Sequence, residues 1–315
     1  MPITLPPISR RKFITSSIAA ALTPNLLHAA DTPADPHHFA LLSDIHIDAN
    51  RKFFKEETFP WDNLQQAIAE ILALNSRPNS LLVNGDLACH GGTREDYAAL
   101  IEALAPMHKA GMPIHLSMGN HDDRRNFFAA LPPDAARQKE LPQRQVCVIP
   151  AERANFFMLD SLEVTTKSPG SLGQGQLAWL AKALDAHKNK PAIVMVHHDP
   201  LPDETGEKPE PYVKSPNSEK PGPSGLLDTK AFYDIIMPRK QVKAYVYGHT
   251  HDWHYSKRED LHLINLPPTA WLFKAGRPRG WVDLNLTQNG ATFELRSLDT
   301  KHPQHGEKLE LTWRV

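Results

Sequence analysis

The chain has 315 residues, 41% of them hydrophobic and 23% charged, which allows one large α/β domain or two ordinary ones and excludes a disordered or membrane-embedded composition. A formal charge of -1 and a pI near 7.0 lack the basic footprint of a protein that tracks a nucleic-acid backbone, so nucleic acid is not an expected partner. Histidine is plentiful at 17 residues, and its placement along the chain is therefore the informative feature.

The N-terminus opens with Ser9-Arg10-Arg11-Lys12-Phe13-Ile14, a twin-arginine pattern, followed by the apolar stretch Ile18 to Leu22 and the small residues Ala29-Ala30. This order predicts a signal peptide over residues 1 to 30, read by the twin-arginine export machinery, and a periplasmic product. A spanning helix needs about 20 consecutive apolar residues. The run here is broken by Thr23, Pro24, Asn25 and His28, so no membrane anchor is expected. Residues 31 to 38 read as a linker ahead of a domain over 39 to 300, with a C-terminal strand and tail over 301 to 315. The two cysteines, Cys89 and Cys147, could pair in an oxidising compartment or remain as two free thiols.

From residue 39 onward short apolar runs alternate with helix-like segments, an α/β pattern. Strands are expected at Phe39 to Ser43, Leu81 to Asn84, Pro113 to Met118, Ala154 to Leu159, Ala192 to Val196 and Val242 to Tyr247. Leu64, Ala67, Ile68, Ile71 and Leu72 have helical spacing, as do Tyr97, Leu100, Ile101 and Leu104, and again Leu177, Leu180, Ala181 and Leu184. Thr93 with Asp96 three residues on is a start signal for the second of these helices. Leu201 to Gly225 carries no apolar period and reads as a long loop, either a solvated insertion or a lid over the His197-His198 pair that precedes it. Beyond Tyr247 the alternating runs Leu261 to Leu266, Trp281 to Leu286, Ala291 to Leu298 and Leu309 to Trp313 predict an antiparallel segment in the far part of a second sheet.

Five expected strand ends carry ligand-type side chains: Asp44-Ile45-His46, Gly85-Asp86, Gly119-Asn120-His121, His197-His198 and Gly248-His249-Thr250-His251. Ligands in open α/β sheets bind outside the carboxyl ends of the strands, so these residues could converge although they span two hundred positions. Asp44, His46, Asp86, Asn120, His197, His249 and His251 are the candidate metal ligands. All offer nitrogen or oxygen, which suits zinc, iron or manganese, and seven ligands are too many for one tetrahedral ion. Two divalent or trivalent ions sharing a carboxylate are expected. Such a pair generates hydroxide from a shared water and polarises a phosphoryl oxygen. His121 is then spare, and it is the candidate general acid for the leaving oxygen.

With the order D-x-H, G-D, G-N-H-D, H-H, G-H-x-H complete, the chain resembles the calcineurin-like metallophosphoesterases, in particular the branch with class III cyclic nucleotide and glycerophosphodiester phosphodiesterases. The resemblance runs from about Phe39 to His251. It implies a four-layer α/β/β/α sandwich of two mixed sheets. It also implies one ion on Asp44, His46 and His251, another on Asn120, His197 and His249, and Asp86 bridging them. The expected activity is hydrolysis of a small phosphoester, a phosphodiester first. A phosphomonoesterase on the same core and a non-catalytic metal-binding protein on the same scaffold are the alternatives. Asp199 stands where the family commonly has proline, and a negative charge there would disfavour dianionic monoesters more than monoanionic diesters. His198 is read as supporting the ligands rather than joining them. His37, His38, His302 and His305 read as solvated, His115 and His262 as structural. His90 and Arg124 receive no role, although either could reach a substrate phosphate.

Overall fold

A computed structural model describes residues 33 to 202 and 224 to 315, so the signal expected over 1 to 30 and residues 203 to 223 of the expected loop lie outside the described residues. The near-continuous apolar strands are explained by burial on both faces. In strand β1 (Asp35–Leu42), Phe39 and Leu41 point to one buried cluster while Ala40 and Leu42 point to another. Strand β2 (Pro78–Asn84) repeats this, with Leu82 on the first face and Leu81 and Val83 on the second. A period-2 strand can be apolar throughout only when both faces are covered.

Strands β1, β2 and β3 (Ile114–Ser117) run parallel. Helices α1 (Pro60–Leu72) and α2 (Arg94–Lys109) supply Leu64, Ala67, Ile68, Ile71, Leu100 and Leu104 to the outer face of these strands. Helix α2 begins where the sequence signal places it, with the Thr93 hydroxyl accepting from the Asp96 amide and the Asp96 carboxylate accepting from the Thr93 amide. Helix α3 (Arg124–Ala130) follows, capped by Asp123, which accepts from the Asn126 amide. The second sheet has β4 (Cys147–Pro150), β5 (Asn155–Met158), β6 (Ala192–Met195), β7 (Val242–Tyr247), β8 (His254–Arg258) and β9 (Leu261–Asn265) in the order β4-β5-β6-β7-β9-β8. Helices α4 (Gly173–Ala186) and α5 (Thr229–Ile236) cover its outer face against Phe157, Val194 and Tyr245.

The tail divides between the sheets. Leu261–Asn265 joins the second sheet and runs parallel to β7 rather than antiparallel. Strands β10 (Gly280–Leu286), β11 (Gly290–Ser297) and β12 (Lys308–Thr312) are antiparallel to one another as expected, but they extend the first sheet beside β1, in the order β12-β11-β10-β1-β2-β3. Period-2 alternation specifies which residues face inward and says nothing about which sheet is joined. Phe39, Leu41, Leu82, Val282, Leu284 and Phe293 of the first sheet meet Phe156, Met158, Ile193, Met195, Val246 and Ile264 of the second. The layers are therefore α/β/β/α, as the resemblance implies. Among the described residues no helix is long and apolar enough to cross a membrane.

Two side-chain readings change. β1 begins at Asp35, four residues before the expected start, and His38 is buried in it, with Nε2 2.6 Å from Asp283 Oδ1 of β10. It is not solvated. Cys89 and Cys147 are both buried and free, in different apolar clusters, which leaves the free-thiol alternative.

Candidate metal centre

Each parallel strand running toward the site ends by turning out of the sheet, and the turn sets a polar side chain at its tip. Five of the seven candidate ligands have the left-handed backbone: Asp44 at φ 52°, His46 at 46°, Asp86 at 47°, His249 at 67° and His251 at 53°. This conformation is costly for residues with a Cβ and persists where surrounding structure holds it. Here the turns are tied together by main-chain bonds: Asp44 donates to the Gly85 carbonyl (3.2 Å), His46 to Asp86 (3.0 Å) and Gly248 to His197 (2.9 Å). Glycine is required where the turns touch. A Cβ on Gly119 would lie 2.2 Å from Asp86 Oδ1, and one on Gly248 would lie 2.0 Å from Ser43 Oγ.

Six of the seven side chains converge, and Asn120 lines the cavity beside them. Asp44, His46, Asp86 and His251 bring ligand atoms within 4.8 Å of one another, and so do Asp86, His197 and His249. Asp86 belongs to both groups, with Oδ2 3.6 Å from His46 Nε2 and 3.3 Å from His197 Nε2. His46 and His251 face each other through Nε2 atoms 3.1 Å apart. Two backbone carbonyls orient the rings: His197 Nδ1 donates to Asn84 (2.9 Å) and His251 Nδ1 donates to Trp271 (2.6 Å). A carbonyl can only accept, so each Nε2 carries the lone pair and faces the centre. His197 Nε2 and Asn120 Oδ1 are buried without a hydrogen-bond partner among the described residues, a costly state unless a cation takes their lone pairs.

The charges point the same way. Burial alone would raise Asp44, but the imidazoles of His251 and His197 bring its carboxyl down to about 2. Burial alone would lower His197, yet Asp86 and Asp44 lift it to about 10. The carboxylates that favour a proton on this buried ring would equally favour a metal ion in the proton's place, with Nε2 then offering its lone pair. The donor set, the shared carboxylate and the unpaired acceptors all fit two ions. His249 is pushed down to about 4 by burial and the neighbouring His197.

His121 stands beside this group. Its amide donates to Asp86 Oδ1 at 2.9 Å, and its ring Nδ1 donates to the Cys89 carbonyl at 2.7 Å, which leaves Nε2 as the nitrogen free to exchange a proton. The work of its two acidic neighbours is now visible. Asp122 is fully buried and accepts from the amides of Leu87, Ala88 and Gly119 and from the Tyr97 hydroxyl, so it locks the β2 and β3 turns together. Burial, with Asp86 nearby, pushes its carboxyl up to about 7. Asp123 caps α3. His198 turns away, with Nδ1 2.7 Å from Ser161 Oγ, in keeping with a supporting role. Asp199 lines the cavity, buried with Oδ1 unpaired, and burial pushes it up to about 7. Arg124 does not reach the site, because it is bound to buried Asp160 by two bonds of 2.8 and 2.9 Å.

The cavity over the centre has a volume of about 110 Å³ and is lined by His46, Asp86, Asn120, His121, His249 and His251 together with residues that no motif marks. Trp271 stacks on His46 with ring centroids 4.1 Å apart, and Lys55 places its ammonium 4.1 Å from the Trp271 ring. Phe273, 45% exposed, stacks on His251 at 3.9 Å. These three lie in connecting segments away from strand ends. An aromatic pair within a Pro-rich loop, Trp271 and Phe273, was the available signal.

Residues 37 to 253 match the family model for calcineurin-like phosphoesterases. The chain belongs to that family. This metallophosphoesterase is 25% identical over 251 residues to a 3',5'-cyclic adenosine monophosphate phosphodiesterase of Pseudomonas aeruginosa, covering 78% of this chain and 82% of that one. It is 29% identical over 177 residues to a glycerophosphodiester phosphodiesterase of Enterobacter lignolyticus, covering 56% and 57%. In fold it resembles a dimetal phosphatase from Danio rerio, with a TM-score of 0.64 at 14% identity, covering 89% of this chain and all of the other.

Proposed function

We propose that this metallophosphoesterase is an exported phosphodiesterase that cleaves a small phosphodiester. The observation that carries the reading is the position of Asp86, shared by two clusters of nitrogen and oxygen donors beside a histidine with one free ring nitrogen. Asp44, His46 and His251 are assigned to one ion, Asn120, His197 and His249 to the other, and Asp86 to both. When bound, the pair of ions supplies Lewis acidity, lowering the pKa of a coordinated water and drawing charge from the phosphoryl oxygen.

His121 is assigned as the general acid. Its Nδ1 proton is committed to the Cys89 carbonyl, so the transferable proton resides on Nε2 of the imidazolium and passes to the leaving oxygen. Main-chain donation to Asp86 keeps the ring in register with the centre. The activities named for the curated relatives support a diester over a monoester, and Asp199 in the cavity wall would oppose a dianion more than a monoanion in its ionised form, at pH above about 7. Kinetics on bis-p-nitrophenyl phosphate and p-nitrophenyl phosphate, side by side with manganese supplied, test the choice. A higher kcat/KM on the diester is expected, and a much higher value on the monoester would replace this reading with the phosphomonoesterase.

Export is supported by the Arg10-Arg11 pattern and the apolar stretch behind it. Arg10→Lys with Arg11→Lys should leave the protein in the cytoplasm while the unmodified chain reaches the periplasm. Equal periplasmic yield of the two would remove the proposal.

A further inference from the structure

A second group of metal-binding side chains lies outside the seven. Asp48, Cys89 and His90 bring a carboxylate oxygen, a thiol and an imidazole nitrogen within 4.8 Å of one another. Asp48 follows the β1 turn, and the Cys89-His90 pair follows the β2 turn. The two segments are fastened together by main-chain bonds from Ile47 to the Leu87 carbonyl (2.8 Å) and from Cys89 to the Ile47 carbonyl (3.0 Å). The platform under the three side chains is therefore an extension of the β1–β2 pairing rather than a loose loop.

The side chains point at a common place, and the only hydrogen bond between any two of them is the long thiol–imidazole contact of Cys89 with His90. His90 Nε2 lies 3.6 Å from Asp48 Oδ2, too far for a hydrogen bond, and 3.8 Å from Cys89 Sγ. Asp48 Oδ1 is engaged by the Asn50 amide at 2.7 Å, which leaves Oδ2 for the group. Phe53 holds the His90 ring edge-on, with centroids 5.2 Å apart. Bond lengths of about 2.0 Å to nitrogen or oxygen and about 2.3 Å to sulfur put the edges of a tetrahedral zinc site at roughly 3.3 to 3.6 Å. The two separations from His90 Nε2 exceed these edges by only a few tenths of an ångström, and the Asp48 and Cys89 ligand atoms lie within 4.8 Å of each other. His90, with a side chain 65% exposed, leaves the fourth position open to water.

We infer that Asp48, Cys89 and His90 form a third metal site, specific for a borderline ion such as zinc and distinct from the all-nitrogen-and-oxygen centre around Asp86. The thiol binds as thiolate, so its proton passes to solvent as the sulfur–metal bond forms. Thiolate and carboxylate then balance a dication. Burial and the Asp48 carboxylate hold the empty thiol in its protonated form, at about 12, while Lys55 works in the opposite sense.

Sulfur makes the site spectroscopically separate from the main centre. Full-length protein loaded with manganese would be titrated with cobalt(II) while thiolate-to-cobalt charge-transfer absorption is followed. The expected result is a band that saturates at one cobalt per chain, is lost in Cys89→Ser, and requires at least tenfold more cobalt in His90→Ala, whose exposed ring can be removed without disturbing the core. Three results would overturn the site: no charge-transfer band at saturating cobalt, a band that survives in Cys89→Ser, or unchanged affinity in His90→Ala.

Discussion

His121 and Asp86 touch through a single 2.9 Å bond from amide to carboxylate, yet their substitutions should have different consequences. His121→Ala removes the ring that donates to the Cys89 carbonyl and leaves all seven assigned ligands in place. It should retain metal content and lose activity by about 10² to 10⁴ on esters with poor leaving groups. Esters with good leaving groups need little protonation and should be hit far less. Loss of metal from this variant would show that His121 is a ligand. Asp86→Ala should deplete both ions together, because both donor clusters contain its carboxylate. Elemental analysis showing one ion at full occupancy in that variant would break the bridging assignment.

The Arg124–Asp160 pair joins helix α3 to the segment after β5, and its prediction concerns stability. Asp160 is fully buried, and Arg124→Ala would leave it with the amides of Gln145 and Leu162 as remaining donors. Breaking a buried ion pair costs about 3 to 5 kcal/mol, and the 25% exposure of Arg124 places this case near or below 3 kcal/mol. Denaturant unfolding should report that loss with bound metal unchanged, whereas a stable variant lacking metal would return Arg124 to the site. At this scale the legible elements were those with a strong apolar period: α1, α2 and α4, and the strands whose two faces are both covered. Helix α3 buries only Phe127 fully over seven residues, with Phe128 and Ala130 partly covered, too little for a periodic signal. Strand β8 has no fully buried residue. The site was legible because turns at strand ends need glycine and polar residues in a fixed order. Lys55, Trp271 and Phe273 approach from connecting segments, and their position depends on tertiary packing that no local pattern encodes.

Across the whole molecule the proposed ions also fasten the two sheets. Asp44, His46, Asp86 and Asn120 come from turns of the first sheet, while His197, His249 and His251 come from turns of the second, so each assigned ion takes donors from both. Main-chain bonds already cross this seam, from Thr269 and Ala270 in the segment after β9 back to Ser43 and Asp44 at the end of β1. Removing the ions would leave Asp44 and Asp86 buried among imidazoles, with the strained turns unsupported by coordination. An ion bound at a hundred times its Kd stabilises the folded state by about 2.7 kcal/mol, so two contribute roughly 5 kcal/mol. In a domain of this size each kcal/mol moves Tm by about 2 to 4 °C, which predicts a fall of roughly 10 to 20 °C on chelation. Calorimetry before and after metal removal, with manganese added back, is the measurement. If metal is stripped to completion and Tm does not move, the ions do not join the sheets and the ligand assignment across the seam is wrong.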